Sequence, residues 1–352
     1  MTPGHRPLKT TLGLLVALLV GACTPGSGST FTDVEAATTT AVTSTGEPTT
    51  TALPRGTTST STSAPTPTTT TAAPFVAPAP ATVAVRTPSG ILALWYGFAD
   101  DGRMIVSTPC DRRAAVTPGP VVRGVDVLLD PGHGGLDPGA KAESGLTEAE
   151  LNLEVARRVA ARLREAGRTV ELTRDGDYFR TLADRSQLAT VIAPRAFVSI
   201  HHNSGIDAPS RAGIGSEIYH QRTDAGSRRL GGLVYEELDR ALRVFDVAWT
   251  RSGAFGVRFR DNGEGFDFFG VLRRTAGVPA ILIEGAYLSN VREAALLATD
   301  AFRDVEADAI AAGILRWLTT PDEGSGYQKG FVESGTGGNT DLATCRDPNL
   351  DR

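Results

Sequence analysis

The chain has 352 residues, of which 41% are hydrophobic and 21% charged, with a formal net charge of −5, three cysteines and five histidines. That charge, with no dense basic cluster, argues against nucleic acid as a partner: the arginines near 157–164 and 228–243 are spread along helical patterns as solvated faces.

Residues 1–23 place Arg6 and Lys9 ahead of the apolar run Leu12 to Val20 and the small residues Gly21 and Ala22, the order of a secretory signal. The run is shorter than the ~20 residues that span a bilayer. Val20-Gly21-Ala22-Cys23 resembles a bacterial lipobox, which predicts cleavage before Cys23, its lipidation, and a chain held at the outer face of the membrane; an ordinary secretory signal is the other reading. Both predict export to the cell envelope. With Cys23 set aside, Cys110 and Cys345 remain as an even pair in an oxidising compartment, which predicts a Cys110–Cys345 disulfide closing a long loop.

Residues 24–82 are rich in Thr, Ser, Pro and Ala and cannot bury enough apolar surface to offset their ordering entropy. They read as a disordered tether that gives an anchored domain reach. Residues 83–121 read as a short accessory β segment, with two strands across 91–106 around the turn Asp100-Asp101-Gly102. Trp95 and Tyr96 fall within it as packing residues.

From 122 to 320 strand and helix patterns alternate. This predicts one α/β domain with a mostly parallel twisted sheet flanked by helices. Leu151, Val155, Val159 and Leu163 recur every four residues, giving an amphipathic helix of about 18 residues that Gly167 ends. Val170 opens the next strand, 181–193 is helical, and Pro194 precedes a strand over 196–201. Further helices are expected near 224–244 and 291–318. The last segment, 321–352, is Gly-rich and polar, and is expected to be irregular and held only through Cys345.

Three apolar runs end in acidic or metal-capable side chains: Val125 to His133, Phe197 to His201, and Ala280 to Glu284. Ligands collect outside the carboxyl ends of strands in open α/β sheets, so these ends can converge. A catalytic zinc takes three ligands of His and carboxylate type and keeps one position open. His133 lies among glycines in Asp130-Pro131-Gly132-His133-Gly134-Gly135, a loop that lacks the spacing of a phosphate-binding motif. His201 and His202 point to opposite faces of one strand, so one of the two reaches a given site, and His202 is the better structural histidine. Thr147 and Glu150 form a capping box, which leaves Glu148 at the first helical position free to face a metal. Glu284, at the end of an apolar strand, sits where its pKa can rise as a general base requires.

Together the blocks LLDPGHGGLDPGA (128–140), GLTEAELNLEVA (145–156), LTRDGDYFRTLADR (172–185), FVSIHHNS (197–204), GSEIY (215–219) and VLRRTAGVPAILIEGAYLSN (271–290) resemble the zinc-dependent N-acetylmuramoyl-L-alanine amidases of bacterial cell walls. The resemblance implies Zn²⁺ on His133, Glu148 and His201, with Glu284 as the catalytic glutamate. It also implies peptidoglycan as substrate, cleaved at the amide between N-acetylmuramic acid and L-Ala of the stem peptide. The chain departs from the family pattern at Thr190, Pro194-Arg195 and Ala286-Tyr287, none of them an expected ligand. The alternatives are a non-catalytic peptidoglycan-binding or regulatory module and another zinc hydrolase of the cell wall. A regulatory partner that relieves latency is compatible with the sequence, with the 224–244 helix or the tail as the blocking segment.

Overall fold

Alternation along a few apolar strands sets the architecture. The computed structural model describes residue 81 and residues 83–205, 215–245, 256–335 and 342–352. The expected signal, Cys23 and nearly all of the tether lie outside these. Among the described residues no helix is long and apolar enough to cross a membrane.

The first segment is more than the expected hairpin. β1 (Val83–Arg86), β2 (Leu92–Phe98), β3 (Met104–Ser107), β4 (Arg113–Val116) and β5 (Val121–Val122) form an antiparallel sheet in the order β4-β3-β2-β1-β5. One face packs Val85, Ala93, Met104 and Val106 on Leu350 of the tail. The other packs Ala84, Leu92 and Leu94 on the main domain.

The main domain then runs β6 (Val127–Pro131), α1 (Glu148–Glu165), β7 (Val170–Leu172), α2 (Leu182–Ile192), β8 (Ala196–Asn203), β9 (Glu217–His220), α3 (Ala225–Leu242) and β10 (Gly256–Arg258). It continues with β11 (Arg260–Asp261), α4 (Gly270–Arg273), β12 (Ala280–Tyr287), α5 (Val291–Leu297) and α6 (Asp300–Thr319), and β13 (Phe331–Val332) lies in the tail. The central sheet has the order β10-β9-β12-β8-β6-β7. Val127, Leu129, Val198, Ile200, Ile281 and Ile283 face α1, α3 and α6, while Leu128, Phe197 and Leu282 face α2, α4 and the accessory sheet. Both faces are therefore covered, as near-continuous apolar strands require.

Three further features depart from the sequence expectation. The sheet is mixed: β6, β7, β8 and β12 run parallel, but β9 pairs with β12 antiparallel and carries β10 with it. A parallel return needs a crossover connection, usually a helix, whereas the sequence of residues 204–216, with its glycines, serines and proline, favours no helix. The helix expected over 291–318 is two helices, α5 capped by Asn290 and α6 by Thr299. The five-residue step from Leu297 to Phe302 breaks the helical period at that place.

The tail, finally, is held at many points. β13 pairs with β11, Arg228 stacks on Tyr327 at 3.5 Å, Asp347 accepts from the Cys110 amide at 2.8 Å, and Leu350 enters the core of the accessory sheet. The expected disulfide joins Cys110 to Cys345, with Cα atoms 5.9 Å apart.

Candidate metal centre

The site forms where β6, β8 and β12 end. His201 and Glu284 occupy paired positions on adjacent parallel strands, so their side chains leave the same face side by side. His133 follows β6 in the left-handed conformation, with φ of 60°. A strained backbone at a non-glycine residue persists only where its surroundings fix it.

Here the surroundings are two buried arginines. Arg174 donates to the carbonyls of Pro131 (2.9 Å), Gly132 (2.9 Å) and Ala149 (2.8 Å). Arg185 donates to Asp130 (2.6 Å) and to the carbonyls of Pro131 (2.7 Å) and His133 (2.6 Å). Gly132 is required for space as well, because a β-carbon there would collide with the His201 ring.

Glu148 opens α1, and the capping box forms as expected: the Thr147 hydroxyl accepts from the Glu150 amide while Glu150 accepts from the Thr147 amide. Glu148 is thereby left to the site. Its Oε1 lies 3.1 Å from His133 Nε2 and 3.0 Å from His201 Nδ1, and its Oε2 accepts from the Ala140 amide at 3.0 Å. His133 Nδ1 lies 2.9 Å from Asp137 Oδ2, close though not aligned for a hydrogen bond.

His202 points away from the site. It is fully buried, its Nδ1 donates to Asn152 Oδ1 at 2.8 Å, and its Nε2 faces Glu306 at 3.1 Å. It is the structural histidine of the pair.

The electrostatics favour a cation. Burial works against charge on His133, yet the Asp137 and Glu148 carboxylates overcome it and raise the imidazole to about 10. Burial alone would raise Glu148, but the two imidazoles hold it well below the usual carboxylate range. Burial, and then the charge of His133, lower His201.

One oxygen and two imidazole nitrogens, all within 4.8 Å of one another, are a donor set for zinc. Tetrahedral ligands at ~2.0–2.1 Å from an ion stand roughly 3.3 Å apart, close to the separations seen around Glu148 Oε1. The residues present fit the ion.

Glu284 shares their cavity of about 440 Å³, which is walled by Phe179, Phe268, Phe269 and Leu282. Its Oε2 is shielded from solvent and has no hydrogen-bond partner. Burial first, and the Glu148 charge second, push the Glu284 carboxyl well above its usual range.

All four residues expected from sequence thus meet in one cavity. Asp137, Arg174 and Arg185 were not anticipated as parts of the site. Asp137 sits four residues from His133 in the same Gly-rich block, and both arginines lie in the LTRDGDYFRTLADR block, whose charged residues carry no local sign of a role at the site.

An α/β sheet with a His-Glu-His cluster and an unpaired acid beside it defines a zinc-dependent hydrolase. A family model for N-acetylmuramoyl-L-alanine amidase matches residues 127–316, more than half of the chain, and the chain belongs to that family. It is 32% identical over 223 residues to the uncharacterised protein YqiI of Bacillus subtilis, covering 63% of this chain and 96% of that one. It is 30% identical over 234 residues to the N-acetylmuramoyl-L-alanine amidase AmiA of Escherichia coli, covering 58% of this chain and 79% of the relative. Among solved structures it is similar to an N-acetylmuramoyl-L-alanine amidase from Clostridium difficile, with 27% identity, 56% of this chain and 99% of that chain covered, and a TM-score of 0.49.

Proposed function

We propose that the chain hydrolyses the amide between the lactyl group of N-acetylmuramic acid and L-Ala of the peptidoglycan stem peptide, with His133, Glu148 and His201 holding zinc and Glu284 acting as general base. The observation that carries the assignment of roles is the placement of Glu284. It is an acid with a raised pKa and an unpaired buried oxygen, in the same cavity as a three-donor cluster. When bound, zinc supplies Lewis acidity toward a carbonyl oxygen and toward water.

The chain's own groups do the rest. Glu148 and the two imidazoles form a donor set held in place by the Ala140 amide and the two arginines, with Asp137 beside His133. Glu284 Oε2 takes the proton of the attacking water and returns it to the departing alanine amine. The aromatic wall of Phe179, Phe268 and Phe269 limits bulk water around that transfer.

The catalytic module in this reading spans 122–320, with 83–121 as an accessory sheet and 321–352 as a tail. Residues 1–23 serve export, Cys23 carries lipid at the outer face of the membrane, and 24–82 form the tether. A polymeric substrate lying outside the membrane suits an anchored enzyme with reach.

The test is digestion of purified muropeptides with and without chelator. Mass spectrometry should find free stem peptide beginning at L-Ala, lost with chelator and restored by zinc. Muropeptides left intact after zinc is added would exclude the amidase assignment. Release of a Cys23→Ala variant into the medium, against retention of the wild type by cells, tests the anchor.

A further inference from the structure

A second recess of about 360 Å³ opens from the catalytic cavity. It shares Asn203, Ser204, Phe269 and Glu284 with that cavity and continues to Arg258, Arg260, Phe331 and Glu333. The two arginines differ in how they are committed. Arg258 pairs with Glu217, a buried acid that also accepts from Asn203 Nδ2 at 2.7 Å and from the Tyr287 hydroxyl at 3.0 Å, so although Arg258 Nε, like that of Arg260, has no hydrogen-bond partner, its acid is held in place by two further bonds. Among the described residues Arg260 pairs with Glu333 alone, whose side chain is 51% exposed just after the two-residue strand β13.

Arg260 is held flat by aromatic rings. Its guanidinium stacks 3.7 Å over Phe268, a wall residue of the catalytic cavity, with Phe269 at 5.5 Å and Phe331 at 5.6 Å. Stacking of this kind fixes the plane of the group and leaves its edge for hydrogen bonds. Glu333 meets that edge at Nη2, and the neighbouring Nε has no hydrogen-bond partner. A carboxylate that bonds an arginine side-on uses both nitrogens. Glu333 is therefore an incomplete occupant, and half-exposed ion pairs of this type are weak enough to exchange.

We infer that Arg260 is the anchor for a carboxylate on the peptide portion of the substrate, and that Glu333 of the tail fills this position until substrate displaces it. The inference rests on the amidase reading. The peptide leaves with the amine that Glu284 protonates, so a peptide subsite beginning at Glu284 lies on the leaving side of the cleaved bond. Peptides whose carboxylates are amidated lose the charge that Arg260 recognises.

Calorimetric titration of the zinc-loaded full chain carrying Glu284→Gln, which blocks turnover, tests this with N-acetylmuramoyl tripeptide bearing free or amidated carboxylates. The acidic ligand should bind about tenfold more tightly, in keeping with a charge-assisted bidentate contact. Arg260→Gln should remove that preference, Arg260→Lys should keep part of it, and Glu333→Gln should tighten the acidic ligand several-fold without affecting the amidated one. Circular dichroism of each variant separates loss of recognition from loss of fold.

Equal affinity for the two ligands, or an acid preference that survives in folded Arg260→Gln, overturns the assignment. Wild-type hydrolysis of both ligands at equal kcat/KM sinks the Arg260 anchor alone. Binding preference without any hydrolysis sinks the amidase reading and leaves the anchor standing.

Discussion

Glu284 and Glu148 are two carboxylates in one cavity with opposite fates. Glu148 faces two imidazoles and stays ionised, whereas Glu284 faces apolar walls and the Glu148 charge and holds its proton more tightly. Divergent pKa values in one site are how acid and base roles are divided. Glu284→Gln should lower kcat by roughly 10²–10⁴-fold, the range for a lost general base, with bound zinc unchanged by metal analysis. Because the base form must be deprotonated, kcat should fall as pH is lowered through a pKa above the ordinary ~4.3 of glutamate, and that acid limb should be lost with the variant.

At this scale His133, Glu148 and Glu284 were legible because strand ends and a helix cap expose them by position alone. The choice between His201 and His202 came from the family resemblance and not from strand position. It depends on Asn152 and Glu306, which reach His202 from two helices distant in sequence. Arg260 was illegible for the same reason, since its significance comes from Glu333 and Phe268 rather than from its neighbours in the chain.

At the scale of elements, α5 is tied to the end of β12 by Glu293. This buried acid accepts from the Tyr287 amide at 2.6 Å and from the Gly215 amide at 3.2 Å. Burial raises its pKa to about 8 despite those two bonds. The folded chain then keeps a proton that the unfolded chain releases near the ordinary value of 4.5. Its contribution to stability is whole below that ordinary value and is lost as pH rises through about 8. Urea midpoints measured across this window should decline with pH in the wild type and decline less in Glu293→Gln.

The elements themselves were readable wherever one periodic signal dominated. Leu151, Val155, Val159 and Leu163 are all fully buried on α1, the face their spacing predicts. Reading failed where partners decide the outcome. The antiparallel entry of β9 beside β12 is a property of the connection and of the neighbour, and β9 itself, Glu217–His220, carries no mark of direction.

For the whole molecule, the Cys110–Cys345 bridge closes a loop of 235 residues that contains the entire central sheet. Reduction should lower stability by about 2–4 kcal/mol, read as a shift of the denaturation midpoint between oxidised and reduced protein. The cysteine count made that bridge predictable. It did not reveal that the tail would also form strand pairs, stack on Arg228 and fill the accessory core.

This wrapping has a practical consequence. The stretch that matches the family stops at residue 316, but a polypeptide cut shortly beyond it, after Thr319, would lose Phe331 and Glu333 from one flank of the recess beside Glu284 and leave Cys110 without its mate. The smallest unit able to stand alone here is thus longer than the homologous core, and proteolytic nicking in the final thirty or so residues becomes a means of reshaping the peptide side of the cleft while every metal-facing group stays in place.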